Sequence, residues 1–346
     1  MYKNKFLKIH TYSKRYISLL IFSLIFILGN TFCGGRQSGK TTIVLKESKP
    51  KLETPDFNAD SAYYFIEKQV SFGPRVPNFP SHLKCAEYLS AKLKEYGAEV
   101  IVQEAKVKAF DNTTLNIRNI IGQFQPEKND RILLFAHWDT RPFADHDKDE
   151  KLYDVPIDGA NDGASGVGVL LEIARLLKEN PTYPGIDIIF FDAEDYGIPD
   201  HKQVQYKPDT WCLGSQYWGK NPHKKNYYAR FGILLDMVGA PNAQFYKEQY
   251  SIHFAPVLVD KIWDIAAQIG YSQWFNPNIG GMITDDHVYV YQYLKIPCVN
   301  IIQHDPTTDT NFGFYWHTHN DTMENIDKST LKAVGHTVLE TIYREQ

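Results

Sequence analysis

Cysteine is scarce in this chain: only Cys33, Cys85, Cys212 and Cys298 occur among 346 residues. Their wide spacing differs from that of a disulfide framework and includes no Cys-x-x-Cys pair typical of a structural zinc site. We expect the last three to be buried as small apolar side chains, with one disulfide between two of them as the alternative in an oxidising compartment. A small fold held together by disulfides is therefore excluded.

An excess of one charge sign is also absent, because 37 basic residues face 41 acidic residues and the formal net charge is -4. The composition has no electrostatic footprint for nucleic acid, so we expect no nucleic-acid partner. Internal repeats and low-complexity blocks are absent too. Hydrophobic residues make up 43% of the chain, which is enough for one substantial core.

The apolar run near the N-terminus, residues 17–28, is too short to span a bilayer comfortably. Basic residues precede it, as in a signal peptide, and a short anchor helix is the alternative. We predict a signal peptide over residues 1–32 and export to the periplasm or the cell exterior. Cys33 stands where a lipid-modified mature chain would begin, although Phe32 is bulky for a lipobox. Membrane contact is expected only through such a lipid anchor.

Residues 33–56 are polar and are predicted to form a tether, and residues 57–346 a single catalytic domain. Within the domain, segments with helical spacing alternate with short apolar runs typical of buried strands. The predicted helices are 60–72, 80–96, 163–177, 256–269 and 329–343. The predicted strands are 99–107, 115–124, 131–137, 186–191, 231–235 and 297–302. This alternation predicts an α/β sandwich around a largely parallel sheet.

Most acidic and histidine clusters directly follow one of these strands. They are His137, Asp139, Asp192, Glu194, Asp195, Asp236, His304 and Asp305, with His317 and His319 further along the last loop. In open α/β sheets, ligands bind at the carboxyl ends of the strands, so we expect these side chains along one rim.

Carboxylate and imidazole groups without cysteine suit a catalytic zinc ion that has three protein ligands and one open position. Calcium would require more oxygen ligands and no histidine. No Gly-x-Ser-x-Gly string follows a strand, so a serine hydrolase of that type is not indicated. Ser165 opens a predicted helix and is expected to be structural.

Several strings resemble the zinc aminopeptidases across roughly residues 57 to 346. They are HWD at 137–139, GANDGASG at 159–166 and the Glu194-Asp195 pair. Three more resemble the animal-type, zinc-dependent glutaminyl cyclases of that superfamily: LDMVGAP at 235–241, DDH at 285–287 and the Trp316-His317 pair. The resemblance implies a three-layer sandwich with a central, mostly parallel mixed sheet flanked by helices.

The resemblance also implies a role for each matching residue. One zinc ion per chain would be held by Asp162, Asp195 and His317. The catalytic acids would be Glu194 as general acid/base, with Asp236 and Asp285 in a carboxylate network behind the reacting amide. Trp316 would wall the substrate pocket. Asp285 could instead cap a helix start, because helical spacing follows it.

His137 and Asp139 have two interpretations. In a cyclase they would support the ligands from behind through hydrogen bonds. In a two-zinc aminopeptidase, His137 and Asp236 would be metal ligands. The sequence also departs from the resemblance: Asp195 stands where many relatives have Glu, and residues 196–209 lack a Trp that the animal enzymes place there. Whether Trp211 or Trp218 takes its place stays open.

The implied reaction is cyclisation of an N-terminal glutamine of peptides or proteins to pyroglutamate, with release of ammonia. The substrate supplies its own nucleophile, so one zinc acting as Lewis acid suffices. The alternative is a two-zinc aminopeptidase that hydrolyses N-terminal residues from peptides. An inactive binding protein is disfavoured, because the ligands and the acid/base are all present. The expected partners are exported peptides or proteins that begin with Gln.

Overall fold

The structure, a computed structural model, describes residues 50–205 and 207–346. The predicted signal peptide, Cys33 and the tether as far as residue 49 lie outside the described residues, so export and lipidation stay predictions. Residues 50–56 have no regular secondary structure, and the Tyr183 hydroxyl donates a hydrogen bond to the Pro50 carbonyl (2.7 Å). In this described part, no helix has the length and apolar character needed to cross a membrane.

Helices and strands alternate along the described chain. The helices are α1 (Ala59–Val70), α2 (Pro80–Glu95), α3 (Ala164–Glu179), α4 (Leu213–Lys220), α5 (Gln249–Phe254), α6 (Pro256–Gln268), α7 (Asp286–Leu294) and α8 (Lys328–Tyr343). The strands are β1 (Glu99–Lys108), β2 (Thr114–Phe124), β3 (Arg131–His137), β4 (Gly185–Phe191), β5 (Gly232–Asp236), β6 (Phe245–Lys247), β7 (Phe275–Ile279) and β8 (Cys298–Ile302).

Six strands form the central sheet in the order β1-β2-β4-β3-β5-β8. Strand β3 pairs in parallel with β4 and β5, and β5 pairs in parallel with β8, whereas β1 and β2 join antiparallel at one edge. The predicted mixed sheet is confirmed. The carboxyl ends of the four parallel strands therefore meet at one edge of the sheet, where the predicted chemistry lies.

The apolar run of β3 has both faces buried. Ile132 and Leu134 belong to a core with residues of α1, α2, α3, α6 and α8, whereas Leu133 and Phe135 belong to a second core with Trp218 of α4 and Val290 of α7. Helices thus cover the sheet on both sides, which makes the three layers. A strand buried on both faces needs no polar alternation, which explains the continuous apolar run.

Polar side chains accept hydrogen bonds from backbone N–H groups at the starts of two helices. Asn58 Oδ1 accepts a hydrogen bond from the Ser61 N–H (3.1 Å) at α1, and Asp327 Oδ1 accepts one from the Thr330 N–H (2.9 Å) at α8. The sequence analysis did not predict α4, α5, β6 or β7. These elements span three to eight residues, too few to show a clear period.

The three cysteines in the described residues, Cys85, Cys212 and Cys298, are all buried and unpaired. The expectation of buried thiols is therefore confirmed. No disulfide joins any two of these three cysteines, so that alternative is not supported.

Two glycines of the GANDGASG string allow α3 to begin against the strand ends. Gly163 has φ 96°, and a Cβ added there would lie 2.5 Å from the Asp139 carbonyl oxygen. At Gly166 an added Cβ would lie 2.2 Å from the Leu235 carbonyl oxygen, at the end of β5. No other residue fits so close to the backbone, and this approach brings Asp162 to the rim.

Replacement of Gly166 by alanine should destabilise the fold. The new methyl group would meet backbone that cannot rotate away, so we expect Gly166→Ala to lower the free energy of unfolding by about 1–3 kcal/mol. Urea denaturation followed by circular dichroism measures this. Gly281→Ala is the matched control, because an added Cβ there meets only ordinary contacts at 3.6 Å. The control should change stability by less than about 0.5 kcal/mol; equal effects would contradict the steric argument.

Candidate active site

A cavity of about 200 Å³ opens at the carboxyl edge of the parallel strands. It is lined by Asp162, Glu194, Asp195, Trp211, Asp236, Met237, Ile283, Thr284, Asp285, Ile302, Phe312, Trp316 and His317. The structure therefore brings together the predicted metal ligands, the predicted catalytic acids and Trp316. Among the described residues, no lysine or arginine lines this cavity. A larger one, about 560 Å³, lies between α2 and β1, away from these side chains.

Asp162, Asp195 and His317 present their ligand atoms within 4.8 Å of one another. His317 Nε2 lies 3.4 Å from Asp195 Oδ1 and 3.8 Å from Asp162 Oδ2. The other carboxylate oxygen of Asp195, Oδ2, is buried and has no hydrogen-bond partner. A buried carboxylate oxygen without a partner is costly unless a cation compensates it. The three side chains therefore fit a cation such as zinc, which three protein ligands commonly hold in catalytic sites.

Two buried carboxylates hold the backbone of the ligand segments. Asp139 accepts hydrogen bonds from the N–H groups of Glu194 (3.0 Å) and Asp195 (3.2 Å). Asp321 accepts them from the N–H groups of Asn161 (2.6 Å) and Asp162 (2.9 Å). Asp139 lies behind the ligands, where the sequence analysis expected support. The contact of Asp321 with the ligand segment was not predicted from the sequence.

His137 also lies behind the cavity wall and is 1% exposed. Its Nε2 is 3.1 Å from Asp162 Oδ1 and 3.2 Å from Asp236 Oδ1. Burial alone would lower the pKa of His137, but the surrounding carboxylates raise it well above its ordinary value. His137, Asp162 and Asp236 could also hold a metal ion, which is the arrangement that the two-zinc alternative requires.

Glu194 reaches the cavity beside a buried thiol. Cys212 Sγ donates a hydrogen bond to Glu194 Oε1 (3.0 Å), and the Cys212 N–H donates to the Glu194 carbonyl (2.9 Å). Burial raises the pKa of Glu194 well above its ordinary value, and the nearby charge of Asp285 adds to this effect while His137 opposes it. A carboxyl group with a raised pKa can both accept and return a proton near neutral pH.

Asp236 and Asp285 occupy the same wall of the cavity. Burial raises the pKa of Asp236 to about 7, against the opposing hydrogen bond with His137. Asp285 accepts hydrogen bonds from Asn300 Nδ2 (2.7 Å) and from the Asp286 N–H (2.6 Å), so it caps α7 and is held rigidly. Asp285 therefore caps α7, as the helix-cap interpretation predicted, and it also lines the cavity.

Two tryptophan rings lie beside His317. Trp316 stacks on His317 with ring centroids 3.7 Å apart, and Trp211 lies nearly parallel to the same ring at 6.0 Å. Trp218 instead lies in the core, where its Nε1 donates to His223 Nδ1 (3.1 Å). Trp211, and not Trp218, is therefore the second tryptophan of the cavity.

Three residues that contact the site were not predicted to do so: Arg141, Asp145 and Cys212. Arg141 and Asp145 form a buried ion pair immediately behind Asp195 and His317. They follow the string at 137–139, at the end of β3, so their position in the chain was a usable signal. Cys212 was expected to be an inert apolar side chain, and nothing in the sequence indicated its contact with Glu194.

The chain is similar to a known protein family and to solved structures of enzymes. Residues 119–342 match peptidase family M28. A solved glutaminyl cyclase from Tannerella forsythia is 59% identical over 84% of this chain and 100% of that chain, with a TM-score of 0.83. A solved Zn-dependent exopeptidase from Parabacteroides distasonis is 55% identical over 85% of this chain and 100% of that chain, with a TM-score of 0.84.

Aminopeptidase YwaD from Bacillus subtilis is 29% identical over 85% of this chain, which spans only 59% of the length of that relative. The predicted zinc aminopeptidase-like fold and the resemblance to glutaminyl cyclases are both confirmed. The similar solved cyclase is bacterial, so the animal-type label was the loose part of the sequence interpretation.

The stability of the metal-free protein should fall as the pH rises from about 4 to about 7. Burial raises the pKa of Asp195 to about 6 and those of Asp236 and Asp321 to about 7, from ordinary values of about 3.9. Between these values the folded protein keeps protons that the unfolded chain releases, so the free energy of unfolding decreases with pH. Urea denaturation of chelator-treated protein at pH 5, 6 and 7 measures the slope.

Asp321→Asn tests the cause, because it removes one of these titrating groups. The variant should show a shallower decrease than the unmodified protein over the same range. A stability that stays level or rises with pH in the unmodified, metal-free protein would contradict the prediction.

Proposed function

The chain belongs to peptidase family M28, and within this family we propose that the protein is a zinc-dependent glutaminyl-peptide cyclotransferase. It converts the N-terminal glutamine of peptides and proteins to pyroglutamate and releases ammonia. One observation carries this proposal: Glu194, Asp236 and Asp285 line the same small cavity as the side chains that fit a metal ion. The 59% identity with a glutaminyl cyclase supports the choice among M28 activities.

The proposed zinc ligands are Asp162, Asp195 and His317. The unpartnered Oδ2 of Asp195 supports this set, because a bound cation would compensate it. When bound, zinc would supply Lewis-acid polarisation of the γ-amide carbonyl of the substrate glutamine. The chain positions these ligands through the backbone hydrogen bonds to Asp139 and Asp321.

We propose one zinc ion per chain rather than two. His137 Nε2 already hydrogen-bonds Asp236 and contacts Asp162, and the histidine does not line the cavity. The carboxylates of this second group therefore have a partner within the protein, which Asp195 Oδ2 lacks. In this proposal His137 orients Asp162 and Asp236.

The cavity suits the first residue of a peptide. Its acidic lining, to which no described lysine or arginine contributes, accepts hydrogen bonds from the α-amino group, and its size admits one side chain rather than an extended segment. Trp211 and Trp316 provide apolar walls beside the metal ligands. These features hold the glutamine side chain folded back toward its own amine, which is the geometry that cyclisation needs.

Glu194 is the proposed general acid and base. It takes a proton from the α-amine as that nitrogen forms a bond to the γ-amide carbon. It then returns the proton to the amide nitrogen as the carbon–nitrogen bond breaks and ammonia leaves. Its raised pKa suits both steps, and the Cys212 thiol holds one carboxylate oxygen in place.

Asp236 and Asp285 are proposed to bind the N–H groups of the reacting amide. Asp285 cannot rotate freely, because Asn300 and the α7 backbone hold its two oxygens. A rigid acceptor aligns the leaving nitrogen with little free energy spent on reorganisation during the reaction.

A two-zinc aminopeptidase is the second candidate. The metal-capable group formed by His137, Asp162 and Asp236 favours it, as do the names of the exopeptidase and aminopeptidase relatives. In that case the free amine would be recognised in the same way, but water would be the nucleophile.

We propose exported peptides as substrates, on the basis of the predicted signal peptide. Lipidation of Cys33 would tether the enzyme to a membrane.

The decisive test incubates a Gln-initiated peptide with the purified protein and follows its mass while metal content is measured on the same sample. We expect loss of one ammonia from the peptide and about one zinc per chain, because the proposed site has three ligands. His317→Ala should lose the metal, whereas His137→Ala should keep most of it. Shortened peptides together with about two zinc ions per chain would establish the aminopeptidase instead.

Glu194→Gln should keep the fold and the zinc but lower kcat by about 10²–10⁴-fold, because the amide cannot carry the proton. The rate of pyroglutamate formation and the zinc content of the same preparation measure this. Glu340→Gln on α8 is the control and should leave both unchanged. Near-normal turnover in Glu194→Gln would remove Glu194 from the proton-transfer role.

A further inference from the structure

Arg141 and Asp145 form an ion pair that is almost completely buried. Arg141 Nε donates to Asp145 Oδ1 (2.7 Å) and Arg141 Nη2 donates to Asp145 Oδ2 (2.7 Å), so the contact is bidentate. Arg141 is 0% exposed and Asp145 is 6% exposed. Removing two charges from water costs several kcal/mol, and apolar residues often stabilise a fold equally well at such positions. Stability alone therefore gives little reason for a buried ion pair at this position.

The third nitrogen of the guanidinium group faces a proposed zinc ligand. Arg141 Nη1 donates to the Asp195 carbonyl oxygen (3.0 Å) and lies 3.5 Å from Asp195 Oδ1. The bidentate contact with Asp145 fixes the plane of the guanidinium group, and this third contact then fixes Asp195.

The carboxylate of the pair faces another proposed ligand. Asp145 Oδ1 lies 3.3 Å from His317 Nδ1, the ring nitrogen that points away from Asp162 and Asp195. His317 Nδ1 is buried and has no aligned hydrogen-bond partner in the protein, and Asp145 is the carboxylate within reach. A metal-bound histidine usually donates its second N–H to such a carboxylate, which sets its orientation.

The pair also has a contact with the segment at 196–209 and one with Trp211. The Asp200 N–H donates to Asp145 Oδ2 (3.0 Å). The guanidinium carbon of Arg141 lies 4.5 Å from the centre of the Trp211 ring, in a cation–π contact. The pair therefore contacts both the ligand side and the tryptophan wall of the cavity.

We infer that Arg141 and Asp145 are positioning residues of the metal centre, with Asp145 orienting His317 and Arg141 fixing Asp195. This inference rests on the zinc ligands of the proposed function. It assigns the buried charges a task that an apolar pair of the same volume could not perform. Neither residue lines the cavity, so their effect passes through the ligands.

The test compares zinc affinity in Asp145→Asn and Arg141→Lys with that of the unmodified protein, by competition with a chromophoric chelator. Both variants should bind zinc about 10–100-fold more weakly, the range typical when a group that orients a ligand is lost. Asp187→Asn is the matched control. Asp187 forms an equally buried bidentate pair with Arg131 (2.6 Å for both bonds), at the other end of strands β3 and β4.

The control should lose stability to urea but keep its zinc affinity within about twofold of the unmodified protein. If Asp145→Asn does not fold, Arg141→Lys, which keeps the positive charge, carries the test. Unmodified zinc affinity in the folded variants overturns the inference, as does equal weakening in Asp187→Asn.

A second readout separates positioning from a general loss of stability. Cobalt(II) replaces zinc in each protein, and its visible absorption reports the ligand geometry. The spectrum should change in Asp145→Asn and Arg141→Lys but match the unmodified protein in Asp187→Asn; identical spectra in all of them contradict the inference. If the unmodified protein binds no zinc, or His317→Ala keeps full affinity, the proposed metal site is wrong, which is a different failure.

Discussion

The structure depends on how negative charge is compensated at the carboxyl edge of the sheet. The four parallel strands bring many carboxylates into a region with little water, where each charge is costly unless it is paired. His137 lies between two of them, Arg141 between another two, and backbone N–H groups satisfy Asp139 and Asp321. Among the residues just named, Asp195 keeps a buried oxygen without a partner. The fold thus leaves a place for one more cation.

Four residues around the site have a strained backbone. Ala193, Met237, Cys212 and His317 have φ between 48° and 56°, a conformation that residues other than glycine seldom adopt. Each such residue costs about 1 kcal/mol or more, and it persists only where the surrounding packing imposes it. Ala193 and Met237 lie just after β4 and β5, next to Glu194 and Asp236, so these two turns direct both carboxylates toward the cavity.

Much of this arrangement could be predicted from the sequence, because apolar runs and the acidic residues after them are readable in chain order. The order of strands then brings those residues to one edge. The contacts that orient the site could not be read in this way. Arg141 and Asp145 find their partners through space, and Cys212 differs from other buried cysteines only because Glu194 lies beside it. The position of Trp211 in the cavity could not be decided from the sequence for the same reason, because its neighbour His317 is far away in the chain.

The three side chains that fit a metal come from loops that are far apart in the sequence, after β3, after β4 and after β8. A metal bound there would act as a tertiary cross-link. Its binding free energy would add to the free energy of unfolding by mass action, by an amount that grows with the free metal concentration. The persistence of this protein in its surroundings would then vary with the supply of zinc, even when no substrate is present.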